Sequence, residues 1–377
     1  MNHIALLIPG LDRIGGAERQ MMLLASGLRR RGWRVSVVAL SGKGGDAAVA
    51  LIAADVAFLS LGMRKGLADP RGWIRFNSWL RRERPDVVHA HLPHAAWFAR
   101  WSRLAAPMRV MVDTLHSTST GTLGRRLGYR WSKWLPDKVT AVSTGVALAH
   151  LQARMVTAAR LAVLPNGVDA TFWRPDAKVR AAFRRILGLR GKFLWFAAGR
   201  LDPVKDYPTL LQAMVEAPEA AHLVIAGSGP LESELRLLSA DLGVESRVQF
   251  LGFEPDVRRW MLAADGFVLS SQWEGLPMVI LEAGACAVPS VATDVPGTRE
   301  VLVDGLTGLL TKAGSAPDLQ AAMAQIMQMP LEERRAMGDR ARQFVLERYS
   351  LDAALDRWEA LYADLLQRNI RTFRWGQ

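Results

Sequence analysis

Short apolar runs rich in Val, Ile and Leu alternate with helix-length stretches along nearly the whole chain, and the alternation breaks once. Residues 4–9, 35–40, 86–90, 109–115 and 138–142 are such runs, with helical patterns at 16–31 and 94–104 among them. A strand that is apolar throughout must be covered on both faces, which is the environment of a parallel strand between two helical layers. After residues 161–164 the chain reads Pro165-Asn166-Gly167-Val168-Asp169 and then Arg174-Pro175-Asp176, a cluster of turn formers. Strand-like runs resume at 193–199, 222–227, 248–252, 266–270 and 289–293, separated by helical stretches such as 231–242 and 277–286. Two rounds of alternation predict an α/β chain of two doubly wound domains, 1–166 and 167–357. A length of 377 residues suits that division. From 331 the pattern is helical to the end. Its last segment, 351–375, is long enough to leave its own domain, so residues from about 358 to 377 are expected to return to the first. Ligands of open α/β sheets lie beyond the carboxyl ends of the strands, which places the site in a cleft where those ends of the two domains face each other.

Composition narrows the function. Half the residues are hydrophobic and 22% charged, the balance of a soluble globular chain. The single cysteine, Cys286, excludes an internal disulfide, and no His/Cys spacing suits zinc, so a reducing cytoplasm fits best. The first apolar run has no basic segment before it and no small-residue cleavage site after it. No eighteen apolar residues run together anywhere, so neither a signal peptide nor a membrane span is expected. Residues 1–160 hold 24 basic and 9 acidic side chains, a net +15, while the remainder holds 24 and 27, a net −3. Only 8 of the 48 cations are Lys, which genomic bias explains, but bias does not explain the asymmetry. A basic half points to an anionic partner: nucleic acid, an acidic membrane surface or a phosphorylated substrate.

Three stretches carry chemistry. Pro9 to Glu18 reads PGLDRIGGAE, and Gly15 and Gly16 open a helix, where free backbone N–H groups can approach an anion. The alternative is a glycine turn for close strand–helix packing; the dinucleotide pattern G-x-G-x-x-G is absent, so no nicotinamide cofactor is expected. At the end of the 193–199 strand, GRLDPVK sets Arg200 and Lys205 five residues apart, a pair able to clamp a diphosphate unless Asp202 and Asp206 hold them in a surface network. Residues 271–282 read SQWEGLPMVILE: a strand ends, Gly275 allows a turn and Pro277 suits a first helical turn. Helical rise sets Glu274 and Glu282 roughly 8 to 12 Å apart, too far to share a proton and suited to two hydroxyl-bearing parts of one ligand.

The Glu274 and Glu282 spacing, in the context EGLPMVILEAGACAVPSVATD, resembles the E-x7-E motif of retaining GT-B glycosyltransferases, family 4 in particular. GGAER near the start, DVVHAH at 86–91, Thr114-Leu115-His116, PNGVD at 165–169 and GRLDPVK resemble that family's blocks in the same order over essentially the whole chain. The resemblance implies two Rossmann-like domains, the first binding the acceptor and the second the donor. It implies a nucleotide-sugar donor, UDP-linked first and GDP-linked second, and a glycan or lipid-linked acceptor in polysaccharide or lipopolysaccharide biosynthesis, with no cofactor and no metal. By matched position, Glu282 would accept from the ribose hydroxyls. Glu274 and the amides of Gly275, Leu276 and Met278 would hold the donor sugar. Arg200 and Lys205 would bind the diphosphate with Gly15 and Gly16, and His116 would sit under the sugar. Where relatives have paired glycines before a proline and Glu, this chain has Pro296-Gly297-Thr298-Arg299-Glu300, so Arg299 is unusual and neither it nor Glu300 is assigned.

His89, His91 and His94 crowd one strand end without a carboxylate near in sequence, which disfavours a metal site. His89 and His94 read as satisfied structural histidines, and His91 divides between that and a cleft role near the acceptor. In residues 123–134, LGRRLGYRWSKW, Leu123, Leu127, Trp131 and Trp134 fall near one helical face and Arg125, Arg126, Arg130 and Lys133 on the rest. Such a helix either lies in an anionic membrane interface or packs its stripe on its own domain. Trp73, Trp79 and the basic run 81–84 in the same half favour a peripheral membrane position. The competing classes are a nucleic-acid binder, for which no recognition motif is present, a sugar-nucleotide epimerase, and a glycan-binding relative without catalysis.

Overall fold

β1 (His3–Ile8) is buried along its whole length and is the third strand of a seven-stranded parallel sheet. The computed structural model describes residues 1–12, 14–64, 69–189 and 191–374, which divide into two units, 1–167 with 351–374 and Val168–Ser350. Around β1 lie β2 (Arg34–Ala39), β3 (Ala57–Ser60), β4 (Val87–His91), β5 (Val110–Leu115), β6 (Lys138–Ala141) and β7 (Leu161–Val163), in the order β3-β2-β1-β4-β5-β6-β7. The intervening helices are α1 (Gly16–Arg30), α2 (Gly45–Ala53), α3 (Pro70–Glu83), α4 (Pro93–Arg103), α5 (Leu123–Ser132) and α6 (Thr144–Gln152).

The second unit repeats the plan. Its helices are α7 (Ala177–Ile186), α8 (Tyr207–Val215), α9 (Glu232–Asp241), α10 (Val257–Ala263), α11 (Met278–Ala285), α12 (Pro296–Val301), α13 (Ala316–Gln328) and α14 (Leu331–Tyr349). Its strands are β8 (Phe193–Ala198), β9 (Ala221–Ala226), β10 (Val248–Gly252), β11 (Gly266–Leu269), β12 (Ser290–Thr293) and β13 (Gly308–Thr311). They pair in parallel in the order β10-β9-β8-β11-β12-β13. Strand order therefore reverses between β1 and β4 in one unit and between β8 and β11 in the other. Such switch points leave a crevice beyond the strand ends where ligands bind.

α15 (Leu351–Arg374) closes the first unit. Leu355, Trp358, Tyr362, Leu365 and Leu366 join Met21, Leu24 and Leu28 of α1 in one buried cluster. Arg31 at the end of α1 binds Asp356 at 2.6 Å and Glu359 at 2.7 Å, and the Trp33 indole N–H donates to Glu359 at 2.7 Å. The helix packs from Leu351 onward, earlier than the 358 expected, because its apolar stripe already meets α1 at Leu355. Residues 375–377 of the expected helix lie outside the described residues, as does Arg13 in the glycine block. Two short strands, β3 and β13, were not expected. Both are sheet edges of four residues, too brief for a period to show.

Candidate active site

In the second unit the loops after β8 and β11, the two strands flanking the switch point, are laced together. The Gln272 N–H donates to the Val204 carbonyl at 2.8 Å, the Ser270 hydroxyl to the Lys205 carbonyl at 2.8 Å, and the Gln272 amide to Asp206 at 2.5 Å. This zipper brings the GRLDPVK loop against the Glu274 loop. Lys205 Nζ donates to Glu274 Oε1 at 2.5 Å, and the buried Ser271 hydroxyl donates to the same oxygen at 2.6 Å. The loop network anticipated for Lys205 through Asp202 and Asp206 is therefore not its partner; a carboxylate from the other loop is. Arg200 is exposed, with Asp202 at 3.6 Å. Next to Glu274, Gly275 and Leu276 are buried, Pro277 caps the helix, and Met278 is the first residue of α11, which carries Glu282 in its second turn, largely buried.

Several supporting residues escaped the sequence reading. A Cβ on Gly297, in α12, would lie 2.7 Å from the Glu274 carbonyl oxygen, so only glycine lets α12 sit against that backbone. The Thr293 hydroxyl donates to the Ser271 carbonyl at 2.5 Å, and Thr298 in turn donates to the Thr293 carbonyl at 2.5 Å, which fixes the Glu274 loop from below. Behind the GRLDPVK loop, Gly227 adopts φ +147° and its Cβ position lies 1.8 Å from the Gly199 carbonyl oxygen. The Leu201 N–H donates to the Ser228 carbonyl at 3.1 Å. The one signal for these was Gly227-Ser228-Gly229-Pro230 at a strand end. Arg299, the unusual residue of the 296–300 block, forks onto Asp294, with one bond at 3.0 Å, and its hydrogen bonding, helped by its charge, holds that carboxyl below the usual range. The Glu300 carbonyl accepts from the Tyr349 hydroxyl at 2.6 Å.

The first unit has a different chemistry at its switch point. His91 ends β4 and His116 follows β5; their rings meet at His91 Nδ1 and His116 Nε2, 3.2 Å apart. His89 is held at both nitrogens, by the Tyr362 hydroxyl at 2.7 Å and the Thr114 hydroxyl at 2.6 Å. Burial pushes His89 down to about 3, with His116 adding to the shift, and His116 down to about 4; His91 is likewise lowered well below its ordinary value. Three neutral imidazoles follow, so in the His91–His116 pair one N–H donates and the other nitrogen accepts. The second ring nitrogen of His91 is buried without a protein partner, and His91 lines a cavity of about 20 Å³ with Gln20, Thr114 and Asn166, room for roughly one water molecule. His94 is exposed on the first turn of α4, so the structural role expected for it falls to His89 alone. At the start of α1 the Gly15 N–H donates to Glu18 Oε2 at 3.0 Å, so it is not the free N–H expected there, while Gly16 is open to solvent. Trp79 is buried against Phe76 and His3, and does not belong to the surface on which it was placed. Among the described residues, no helix is long and apolar enough to cross a membrane.

Known proteins resemble this chain in sequence and in fold. The chain matches the family model described as glycosyl transferases group 1 over residues 179–344 and the model described as Glycosyltransferase Family 4 over residues 14–172. It is 32% identical over 296 residues to a GDP-mannose-dependent alpha-(1-6)-phosphatidylinositol monomannoside mannosyltransferase of Mycolicibacterium smegmatis, covering 70% of this chain and 74% of that protein. It is 24% identical over 315 residues to the UDP-Gal:alpha-D-GlcNAc-diphosphoundecaprenol alpha-1,3-galactosyltransferase of Escherichia coli, covering 80% and 81%. The solved structure of Anabaena Alr3699/HepE in complex with UDP and glucose superposes with a TM-score of 0.85 at 21% identity, covering 96% of this chain and 99% of that one, a likeness of fold.

Proposed function

This chain belongs to the group 1 glycosyltransferases of family 4, and from that premise we propose that it transfers a sugar from a nucleoside diphosphate sugar to a hydroxyl of a lipid-linked glycan, with retention of anomeric configuration, in cell-surface polysaccharide or lipopolysaccharide assembly. Its two parallel sheets are the two-domain GT-B-like architecture. A UDP-sugar is the first donor to test, since UDP stands in the name of the galactosyltransferase and in the HepE complex; GDP, from the mannosyltransferase, is the second. Both curated relatives act, by name, on acceptors carried by lipids, which supports a lipid-linked acceptor here and a peripheral position on a membrane.

The observation that carries the reading is the meeting of Lys205 with Glu274 at the switch point of the second unit. Breaking the bond from the anomeric carbon to phosphate leaves negative charge on the departing diphosphate, and cations already fixed there stabilise it as it forms. Arg200 supplies the fork and Lys205 the point charge. Lys205 and Ser271 both donate to Glu274 Oε1, which leaves Oε2 to accept from a hydroxyl of the donor sugar. The N–H groups of Gly275, Leu276 and Met278 serve the same sugar, and Glu282 the ribose. In the first unit Gly15 and Gly16 serve the diphosphate, His116 the donor sugar and His91 the acceptor. The acceptor oxygen attacks on the face the diphosphate leaves, its proton passing to the departing phosphate oxygen.

Melting-temperature shifts with UDP, GDP, ADP and their sugar conjugates test this, because a ligand bound only by the folded chain raises its melting temperature. A shift selective for one nucleotide and lost in both Arg200→Ala and Glu282→Ala is expected. No shift with any nucleotide would overturn the donor assignment.

A further inference from the structure

We infer that the helical layer of α3, α4 and α5 on the first unit docks onto an anionic lipid bilayer, with α5 as the element that enters the interface. The inference rests on the peripheral position proposed above and names the surface responsible, and vesicle binding tests it separately from nucleotide binding.

α5 is mounted with its apolar stripe outward. Leu123, Leu127, Trp131 and Trp134 are 62%, 42%, 78% and 60% exposed, while the residues that face inward are Tyr129 and Ser132. The anchor is an unusually polar one. Arg100 of α4, fully buried, lies 4.2 Å over the Tyr129 ring, donates to the Ser132 hydroxyl at 2.9 Å and pairs with buried Asp113 at 2.7 Å. Gly128 lets α5 approach Trp97, whose ring would meet a Cβ there. The sequence left two places for this stripe, and it does not pack on its own domain. Water is a poor neighbour for four large apolar side chains on ten or so residues of helix, and monomeric surfaces seldom carry such a concentration without a partner.

Charge selects the partner. Residues 70–133 carry 12 basic and 3 acidic side chains, and each of the three acids is paired: Glu83 with Arg34 and Arg82, Asp86 with Arg109, Asp113 with Arg100. The uncompensated cations include exposed Arg71, Arg75 and Arg81 on α3 and Arg130 on α5. α3 packs beside α4 and α4 beside α5, so the cations and the stripe share one layer. Indole rings at the level of lipid headgroups, leucines just below them and arginines reaching anionic phosphates are the arrangement an interfacial helix needs.

The test is co-sedimentation of the full chain with vesicles of phosphatidylcholine alone and with about a third phosphatidylglycerol. Binding to the anionic vesicles, weakened by salt and reduced about tenfold or more in Trp131→Ser with Trp134→Ser, is expected. Lys133→Glu should weaken it as well, and Lys133 and the two Trp positions are outside the anchor, so circular dichroism and melting temperature should stay near those of the parent. No binding of the parent to anionic vesicles overturns the proposal, as does binding that neither variant changes. A parent that is dimeric in solution, and monomeric in the Trp variant, would assign the stripe to a second copy of the chain instead.

Discussion

The two units are wound alike and put opposite kinds of group at their switch points. Beyond β8 and β11 stand a lysine and a carboxylate, bonded to each other at 2.5 Å across two loops that are themselves stitched by three hydrogen bonds. Beyond β4, which flanks the other switch point, and beyond its neighbour β5 stand imidazoles that burial strips of charge. A doubly wound sheet thus fixes where a ligand goes without fixing how it is handled. Charge held ready suits a step that releases a diphosphate, and neutral donors and acceptors suit the hydroxyls of sugars.

The largest expected effect tests whether charge is concentrated in the second unit. Lys205→Ala and Arg200→Ala should each lower kcat by about 10² to 10³, as loss of a group that stabilises developing charge does. His116→Ala should cost less, about tenfold, since it removes a neutral hydrogen-bonding group. Steady-state kinetics on the three variants checks the order. A His116 variant as damaged as the Lys205 variant would break the comparison and move the centre of the chemistry to the first unit.

Next in size is a pair of glycines, one per unit. Gly227→Ala meets the Gly199 carbonyl at 1.8 Å with φ at +147°, a clash of backbone on backbone that must shift the GRLDPVK loop; about 3 kcal/mol and most of the nucleotide affinity should go. Gly27→Ala meets Leu355 Cδ1 at 2.6 Å, the end of a side chain that can move. Gly27 also lies inside α1, where alanine favours helix by about 1 kcal/mol, offsetting part of an overpacking cost of about 1–3 kcal/mol. A loss near 1 kcal/mol with nucleotide binding intact is expected, read by denaturant melts and by the UDP-induced shift.

What the sequence made legible follows from how each residue works. Arg200, Lys205 and Glu274, in loops after strands, and Glu282, in α11, are the residues proposed to act through their own charged side chains, and residue type and position are what single such side chains out. Gly297, Gly227, Thr293 and Thr298 act by letting backbones touch or by holding a carbonyl, and nothing in their identity marks the partner they will meet. The same limit applies to pairings: the loop cation Lys205 finds Glu274, 69 residues away, in preference to the aspartates beside it in sequence. Trp79 is in the core and His94 on the surface, the reverse of what the sequence suggests, because which face of α3 or α4 turns inward is set by the sheet beneath and not by the helix itself. The strand alternation was legible where strands are central and apolar, as in β1 and β8, and also at the five-residue edge β10, and failed at the four-residue edges β3 and β13.

The effect that starts smallest, just below pH 6.5, and grows as the pH falls is acid sensitivity, which sharpens the contrast over the whole fold. Six of the seven histidines lie in residues 1–167. His89 and His116 refuse a proton until about 3 and about 4, whereas an unfolded histidine takes one at 6.5. Between 6.5 and those values the unfolded chain binds protons that the folded one does not, so stability is fully present above 6.5 and is lost as pH falls below it. The loss from each group is at most about 1.4 kcal/mol per pH unit and stops once the folded state is protonated too. Hydrogen exchange followed segment by segment from pH 7 to 4 should show β4 and β5 losing protection before β8 and β11, and His89→Gln should flatten the decline in the first unit alone. If β8 and β11 open first, the buried imidazoles are not what separates the two units in acid, and the difference must be sought in the Lys205–Glu274 pair and its loops.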